Sequence, residues 1–187
     1  MYYTSREKRN PKLKFMLVDE ELALVQRAKL GEKAAVEMLW NAITPKLYGY
    51  LVHTLRDTHK AEDIVQDTWL KALKSLPQFH SRGVRFSAWL YAIAKNECRQ
   101  YWRKSKPEVS IDEQPDIGVW NTQSNDFLFL EKILEKLSSD EQEILRLRYI
   151  SELSFQEIAL VLSLSVISAR VRVHRALKKA NRLLTSS

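Results

Sequence analysis

Side chains that commonly act as nucleophiles, bases or metal ligands are few and scattered in this sequence. Four histidines are present: His53, His59, His80 and His174. None of them has a serine, cysteine or carboxylate at a spacing typical of a nucleophile and its base. Cys98 is the only cysteine, so an intramolecular disulfide is impossible and no Cys/His set has metal-ligand spacing. The sequence therefore predicts no enzymatic activity, no metal site and no cofactor.

Basic side chains, by contrast, are concentrated near the C-terminus. Residues 166–184 contain no acid and six cations: Arg170, Arg172, Arg175, Lys178, Lys179 and Arg182. Such a helix is typical of one that binds phosphates. We expect Ser165 to cap its N-terminus, which leaves Ser168 and Arg170 free to face base edges in the first turns.

The segment before this helix has the pattern of a short helix and a tight turn. Ser154 and Glu157 form a capping-box signature that opens the short helix, and Ser163-Leu164-Ser165 forms the turn. This order predicts a helix-turn-helix that places its second helix in the major groove of DNA. A basic amphipathic helix also suits an acidic membrane surface, but the capped helix and turn favour DNA.

A second cluster combines cations with amides and aromatic rings. Within residues 86–106, four polar side chains recur at three or four positions and predict a stripe suited to a nucleic-acid backbone and base edges: Asn96, Arg99, Gln100 and Arg103. The preceding loop, residues 77–86, carries Phe79, His80, Arg82, Arg85 and Phe86. Exposed rings beside cations suit the stacking of single-stranded bases. The alternative is that these rings anchor the loop on the core.

Helices must position all of these side chains. Only four glycines and five prolines occur, and apolar residues recur every three or four positions without strand-like alternation, which predicts an all-α fold. We expect helices over residues 19–29, 32–55, 60–76, 127–137, 139–149, 154–162 and 166–184, and helical spacing also in 86–106. Gly31 separates the first two, and Pro45 is expected to kink or split the second.

Composition narrows the class of protein further. A chain of 187 residues that is 45% hydrophobic has room for one ordinary domain or two small ones with real cores. Its formal charge of +7 favours a polyanionic partner. No run of about 18 apolar residues and no apolar N-terminal signal segment occur, so we expect a cytoplasmic protein without membrane insertion.

A change of composition divides the chain. Residues 107–126 contain five acids, no lysine or arginine, and no helical periodicity, which is typical of a linker. The predicted organisation is a basic tail (1–17), a helical domain (18–106), a flexible acidic linker (107–126) and a helix-turn-helix domain (127–187). On composition alone, the linker is expected to act as a solvated tether.

The helix predicted over residues 60–76 has an unusually acidic outer face. Its buried stripe is expected to comprise Ala61, Ile64, Val65, Trp69, Ala72, Leu73 and Leu76. Glu62, Asp63, Gln66 and Asp67 lie opposite. On charge alone, acids near a helix N-terminus are adequately explained as a solvated face that the helix dipole favours.

Three segments in this order carry a family resemblance: AEDIVQDTWLKAL (61–73), FSAWLYAIAKNECRQYWR (86–103) and LSFQEIALVLSLSVISARVRVHRALKKA (153–180). The chain resembles bacterial sigma factors of the extracytoplasmic-function group. The resemblance implies two helical domains that recruit RNA polymerase core to particular promoters and melt the minus-ten element. It also implies an anti-sigma protein as a partner. For residues 107–126 it implies a linker that threads through polymerase channels as a mimic of nucleic acid, and the solvated tether stays the alternative.

The resemblance assigns a role to each cluster. The face of Glu62, Asp63, Gln66 and Asp67 would dock on the clamp helices of the largest polymerase subunit, which replaces the solvated-face interpretation. The loop with Phe79, His80, Arg82 and Phe86 would capture a flipped minus-ten base, and Asn96, Arg99, Gln100 and Arg103 would face that element. The minus-thirty-five element would be read by Ser165, Ser168, Arg170, Val171, Arg172, His174, Arg175, Lys178 and Lys179.

The sequence departs from the family pattern within the helix-turn-helix. Ser163 and Ile167 stand where the family usually has glycine, Val171 replaces a small polar residue, and Ala169 replaces a larger apolar one. A non-glycine residue with positive φ costs roughly 1 kcal/mol or more. We therefore expect the turn at Ser163 and the preference for upstream promoter bases to differ from those of relatives.

Overall fold

Every regular element in the described residues, 18–81, 83–105 and 136–185 of a computed structural model, is helical. The elements are α1 (Val18–Lys29), α2 (Lys33–Leu55), α3 (Thr58–Ser75), a 3-10 turn (Leu76–Gln78), α4 (Phe86–Ser105), α5 (Ser139–Leu145), a π-helical turn (Arg146–Ile150), α6 (Phe155–Leu162) and α7 (Val166–Thr185). The predicted all-helical class is confirmed. The predictions for the tail, for the linker and for most of the helix over 127–137 lie outside the described residues.

Helices α1 to α4 form the first helical block. Gly31 ends α1 with a φ of 87°, a conformation that glycine adopts without steric cost. Of the two expectations for Pro45, a kink or a split, the split is wrong, because α2 runs through the proline as one helix. Ile43 and Leu47 are buried on either side of the proline, and this packing outweighs the helix-breaking cost of about 3 kcal/mol.

Helix α3 begins at Thr58, two residues before the predicted start. The Asp57 side chain caps it by accepting a hydrogen bond of 2.9 Å from the Lys60 backbone N–H. Six of the seven predicted stripe residues are buried, but Leu73 is 38% exposed, so its assignment to the core is wrong.

The second helical block contains the predicted capping box and a second one. Ser138 with Glu141 opens α5, and Ser154 with Glu157 opens α6. Ser163 ends α6 in the left-handed conformation with a φ of 55°, so serine occupies the position predicted to need positive φ. Helix α7 is capped by Ser165, whose Oγ accepts from the Ser168 backbone N–H at 3.1 Å. The predicted helix-turn-helix is confirmed.

The two blocks pack on each other in the described residues, with α4 lying against α6. Apolar residues of both blocks, including Leu90 of α4 and Ile158 of α6, belong to one continuous buried cluster. The expectation of two bodies separated by a tether therefore omitted an interface. The predicted domain boundaries stay predictions.

Candidate nucleic-acid interfaces and the contact between helical blocks

Helix α7 buries one side and presents the other to solvent. Ala169, Val173, Ala176 and Ala180 face the block, at spacings of three and four residues. The predicted DNA-facing side chains lie elsewhere on the helix, Ser168 half-buried and the following ones exposed: Arg170, Val171, Arg172, His174, Arg175, Lys178 and Lys179. Leu184, near the helix end, is 37% exposed.

Contacts at the start of α7 hold two of these side chains in place. The Arg170 guanidinium lies 5.4 Å from the centre of the Phe155 ring, and the Arg148 guanidinium lies 4.9 Å from the same ring centre. The hydroxyl of Ser165 donates to that of Ser168 at 2.9 Å. Phe155 of α6 thus orients a cation of the outward face, which connects the first helix of the motif to the second.

The predicted polar stripe of α4 also lies on the surface. Asn96, Arg99, Gln100 and Arg103 are all exposed and share one side of the helix. Glu97, between them in sequence, is buried and forms an ion pair with Lys71 of α3. The stripe is therefore attached to a rigid helix and is left open to an external partner.

The loop before α4 differs from the prediction at its aromatic residues. Phe79 is 6% exposed and Phe86 is fully buried, with ring centres 5.3 Å apart in an edge-to-face arrangement. Trp89 packs on both rings. The expectation of exposed rings for base stacking is wrong, and the alternative, a loop anchored on the core, describes them. His80 is exposed, and Arg82 lies outside the described residues.

Arg85, the second arginine of this loop, lies instead in the contact between the blocks. Its Nε donates to Glu157 Oε1 at 2.7 Å and its Nη2 to Oε2 at 2.8 Å. Arg85 is 5% exposed and Glu157 is 3% exposed. Burial alone would raise the pKa of the Glu157 carboxyl, but hydrogen bonds from Arg85 and from the Ser154 backbone lower that pKa to about 2.

Two further ion pairs cross the same contact. Lys95 of α4 pairs with Glu143 of α5, which also accepts from the Tyr50 hydroxyl at 3.1 Å. Lys46 Nζ lies 3.1 Å from a carboxylate oxygen of Glu152. In all three pairs the first block supplies the cation and the second block supplies the acid, so the surfaces are electrostatically complementary.

Sequence reasoning missed this interface. The paired residues are 48 to 106 positions apart, and no local spacing relates them. Glu21 has a similarly distant partner, because its carboxylate accepts from the backbone N–H and the hydroxyl of Ser87 at 2.9 Å and caps α4. Its only local signal was a carboxylate at a position that helical spacing assigns to the core.

The acidic face of α3 is exposed as predicted. Glu62, Asp63, Gln66 and Asp67 are all accessible, and Asp63 makes a 3.3 Å ion pair with Lys60 on its own helix. Leu70, one turn further along, is 56% exposed. This surface offers carboxylates beside an apolar side chain.

Two properties of the described residues bear on other classes of function. None of their helices is both long and apolar enough to cross a membrane. Within the same residues, no group of three or more histidine, cysteine or acidic side chains is arranged to hold a metal ion.

Comparison with known proteins assigns the two blocks. The family described as Sigma-70 region 2 matches residues 39–108, and Sigma-70, region 4, matches residues 130–179. The ECF RNA polymerase sigma factor EcfG of Rhodopseudomonas palustris is 30% identical over 76% of this chain and 81% of its own. The chain belongs to the extracytoplasmic-function sigma factors.

Other relatives of this sigma factor agree. It is 28% identical to SigW of Bacillus subtilis over 81% of this chain and 89% of that protein. It is 27% identical to BldN of Streptomyces coelicolor over 87% of this chain and 65% of that protein, so it spans just under two thirds of BldN.

Solved structures of similar sigma factors share the fold. CnrH, in complex with the cytosolic domain of CnrY, has a TM-score of 0.66 and 26% identity over 89% of this chain and 98% of CnrH. RpoE of Bartonella quintana, with the anti-sigma factor NepR, has a TM-score of 0.64 and 28% identity over 80% of this chain and 96% of RpoE. The family named from three sequence motifs, and with it a sigma-factor role in transcription initiation, is confirmed.

Proposed function

We propose that this sigma factor directs RNA polymerase core to specific promoters through two DNA contacts and assists strand opening at one of them. The observation that carries the proposal is the presence of two separate exposed polar faces on one chain. The α7 face, with Arg170 and Arg175, contacts the minus-thirty-five element. The α4 face, with Asn96, Arg99 and Gln100, contacts the minus-ten element.

The acidic face of α3 supplies the contact to polymerase. Glu62, Asp63, Gln66 and Asp67 project from one side of a well-packed helix, so a partner binds them without the helix having to rearrange. Exposed Leu70 adds apolar area to the same surface. The clamp helices of the largest subunit are the proposed partner.

The contact between the two blocks has to open when both promoter elements are bound. The elements are about 25 base pairs apart, a distance of about 85 Å at about 3.4 Å per pair. A compact chain of this length has a radius of gyration of only about 16 Å. The pairs Arg85–Glu157, Lys95–Glu143 and Lys46–Glu152 therefore separate in the promoter complex.

Reconstituted transcription tests the proposal. The full chain is added to core polymerase with a genome-wide set of candidate promoters, and start sites are mapped. We expect discrete start sites that core alone does not produce. Tight binding to an operator without polymerase, and no new transcript with it, would instead identify an ordinary DNA-binding regulator.

Variants separate the contact with polymerase from the contact with DNA. The triple variant Asp63→Ala, Gln66→Ala, Asp67→Ala is expected to lose core binding, because it removes three polar groups of the α3 face. Asp19→Asn, which changes an exposed carboxylate on α1, is the matched control and should bind core normally. Equal core affinity for the triple variant and the control would rule out docking through α3.

Base capture is proposed for the loop before α4 only at its exposed residues. Because Phe79 and Phe86 belong to the core, His80 is the described residue of the predicted set that remains accessible. The variant His80→Ala should slow strand opening, measured by permanganate reactivity of promoter thymines, and leave duplex binding unchanged. Normal strand opening by this variant would show that His80 takes no part in base capture.

The proposal also covers the regulation of this sigma factor and its location in the cell. Two sigma factors of similar fold are known in complexes with CnrY and with the anti-sigma factor NepR. We propose that an anti-sigma protein also holds this chain, that the chain works in the cytoplasm beside polymerase, and that it acts without a catalytic reaction of its own.

A further inference from the structure

Three apolar side chains lie exposed at the start of α7. Ile167 is 77% exposed, Val171 is 41% exposed and Val166 is 40% exposed. Of the large apolar residues that the structure describes, only Leu30 is more exposed than Ile167. Single exposed apolar side chains are ordinary, but adjacent ones with a polar rim indicate an interaction site.

The helical register places Ile167 and Val171 at the centre of the outward face. Successive residues turn by about 100°, so these two lie almost opposite the buried stripe that contains Ala169 and Val173. They are four residues apart and form neighbours on the surface. Arg170 flanks them on one side and Arg175 on the other.

The cations around this apolar pair limit what it contacts. Helix α7 carries six cations and no acid, so the partner that approaches it is anionic. On the major-groove edges of base pairs, the C5-methyl group of thymine is the apolar contact point. The surrounding arginines meet phosphates or guanine in the same arrangement.

We propose that Ile167 and Val171 contact a thymine methyl group in the minus-thirty-five element, the upstream promoter element. A thymine at that position is then a determinant of promoter choice. This inference rests on the proposed function, in which α7 occupies the major groove. It identifies the chemical group that the two apolar side chains recognise in that groove. Cations that contact phosphates supply affinity that depends little on sequence, whereas the apolar pair distinguishes one base.

Deoxyuridine tests the contact directly, because it differs from thymidine only by the missing methyl group. Each thymine of the upstream element is replaced in turn, and binding of the complete holoenzyme is measured by competition. We expect one or two replacements to weaken binding about three- to fivefold, the change expected for one buried methyl group. Replacements elsewhere in the element should have no effect.

The variant Ile167→Ala, combined with the deoxyuridine replacement, forms a double-mutant cycle between the side chain and the methyl group. Since Ile167 is largely exposed and alanine favours helices, folding should be preserved. We expect the variant to bind the thymine promoter several-fold more weakly and to lose its sensitivity to deoxyuridine at the critical position. Leu184→Ala, an exposed apolar change at the far end of α7, should keep the sensitivity of the unaltered protein.

Three results would overturn the inference while leaving the proposed function intact. One is a holoenzyme that protects the upstream element but ignores every deoxyuridine replacement. Another is an Ile167→Ala holoenzyme that remains as sensitive as the unaltered one. A third is equal loss of binding on templates without an upstream element, which would assign the pair to a protein contact. A holoenzyme that gives no promoter-specific binding would contradict the proposed function itself.

Discussion

The buried ion pair between Arg85 and Glu157 leads to a quantitative prediction for the variant Glu157→Gln. Glutamine keeps the size of the side chain and remains suitable for the capping box with Ser154. It removes the negative charge to which the Arg85 guanidinium, 5% exposed, donates two hydrogen bonds. The substitution therefore tests the ion pair with little change to the start of α6.

Two independent routes give the size of the effect. Removing one partner of a buried ion pair typically costs about 3–5 kcal/mol. The pKa of Glu157 falls from 4.5 to about 2 on folding, which corresponds to about 3–4 kcal/mol at about 1.4 kcal/mol per pKa unit. We expect Glu157→Gln to lower the free energy of unfolding by about 3 kcal/mol at neutral pH.

The matched control is Glu141→Gln at the other capping box. Glu141 occupies the same position relative to Ser138, but its ion pair is with the exposed side chain of Lys179. Surface ion pairs of this kind contribute about 1 kcal/mol or less. Urea unfolding followed by circular dichroism compares the two variants, and small-angle scattering reports whether the blocks separate first.

The pH dependence gives a second check on the same pair. A lowered carboxyl pKa stabilises the fold above the unfolded value of 4.5, and the contribution is lost as the pH falls toward about 2. The difference in stability between the unaltered protein and Glu157→Gln should therefore be constant above about pH 5 and shrink below it. If Glu157→Gln is no less stable than Glu141→Gln at pH 7, the reasoning is refuted.

Three further predictions concern single residues. Ser163→Gly should stabilise the chain by about 0.5–1 kcal/mol, because glycine adopts the φ of 55° without a Cβ clash; a melting temperature that falls, or rises equally in Ser163→Ala, would contradict this. Phe79→Ala should lower the free energy of unfolding in urea by about 3–5 kcal/mol, as expected for a buried ring. A loss below about 1 kcal/mol would show that the ring is exposed. Burial raises the pKa of the Cys98 thiol to about 12, so a thiol reagent at pH 8 should modify it only after unfolding; rapid modification of the folded chain would disprove its burial.

Local patterns predicted much of the candidate site. The two capping boxes, the turn at Ser163 and the outward stripe of α4 depend on residues within about one or two helical turns of each other. At that range, backbone hydrogen bonds and helical periodicity relate sequence to position directly. The family resemblance then gave these surfaces their roles.

Other features could not be predicted, because they depend on partners distant in sequence. Rings beside cations favour an exposed position for Phe79 and Phe86, with burial as the alternative, and the packing of Trp69 and Trp89 on them decides for burial. Leu73 had the spacing of a core residue and lies at the edge of the packed surface. Spacing places a side chain on one side of a helix, whereas its burial depends on what packs there.

The helical class, the helix-turn-helix and its basic outward face follow from the sequence by itself, since each depends on contacts between near neighbours. Only the tertiary structure decided that Arg85 meets Glu157 and that the first helical block lies against the second. The contact between Arg85 and Glu157 joins residues 72 positions apart. Desolvation and charge pairing at such a contact depend on the three-dimensional arrangement of both blocks, which no local pattern contains.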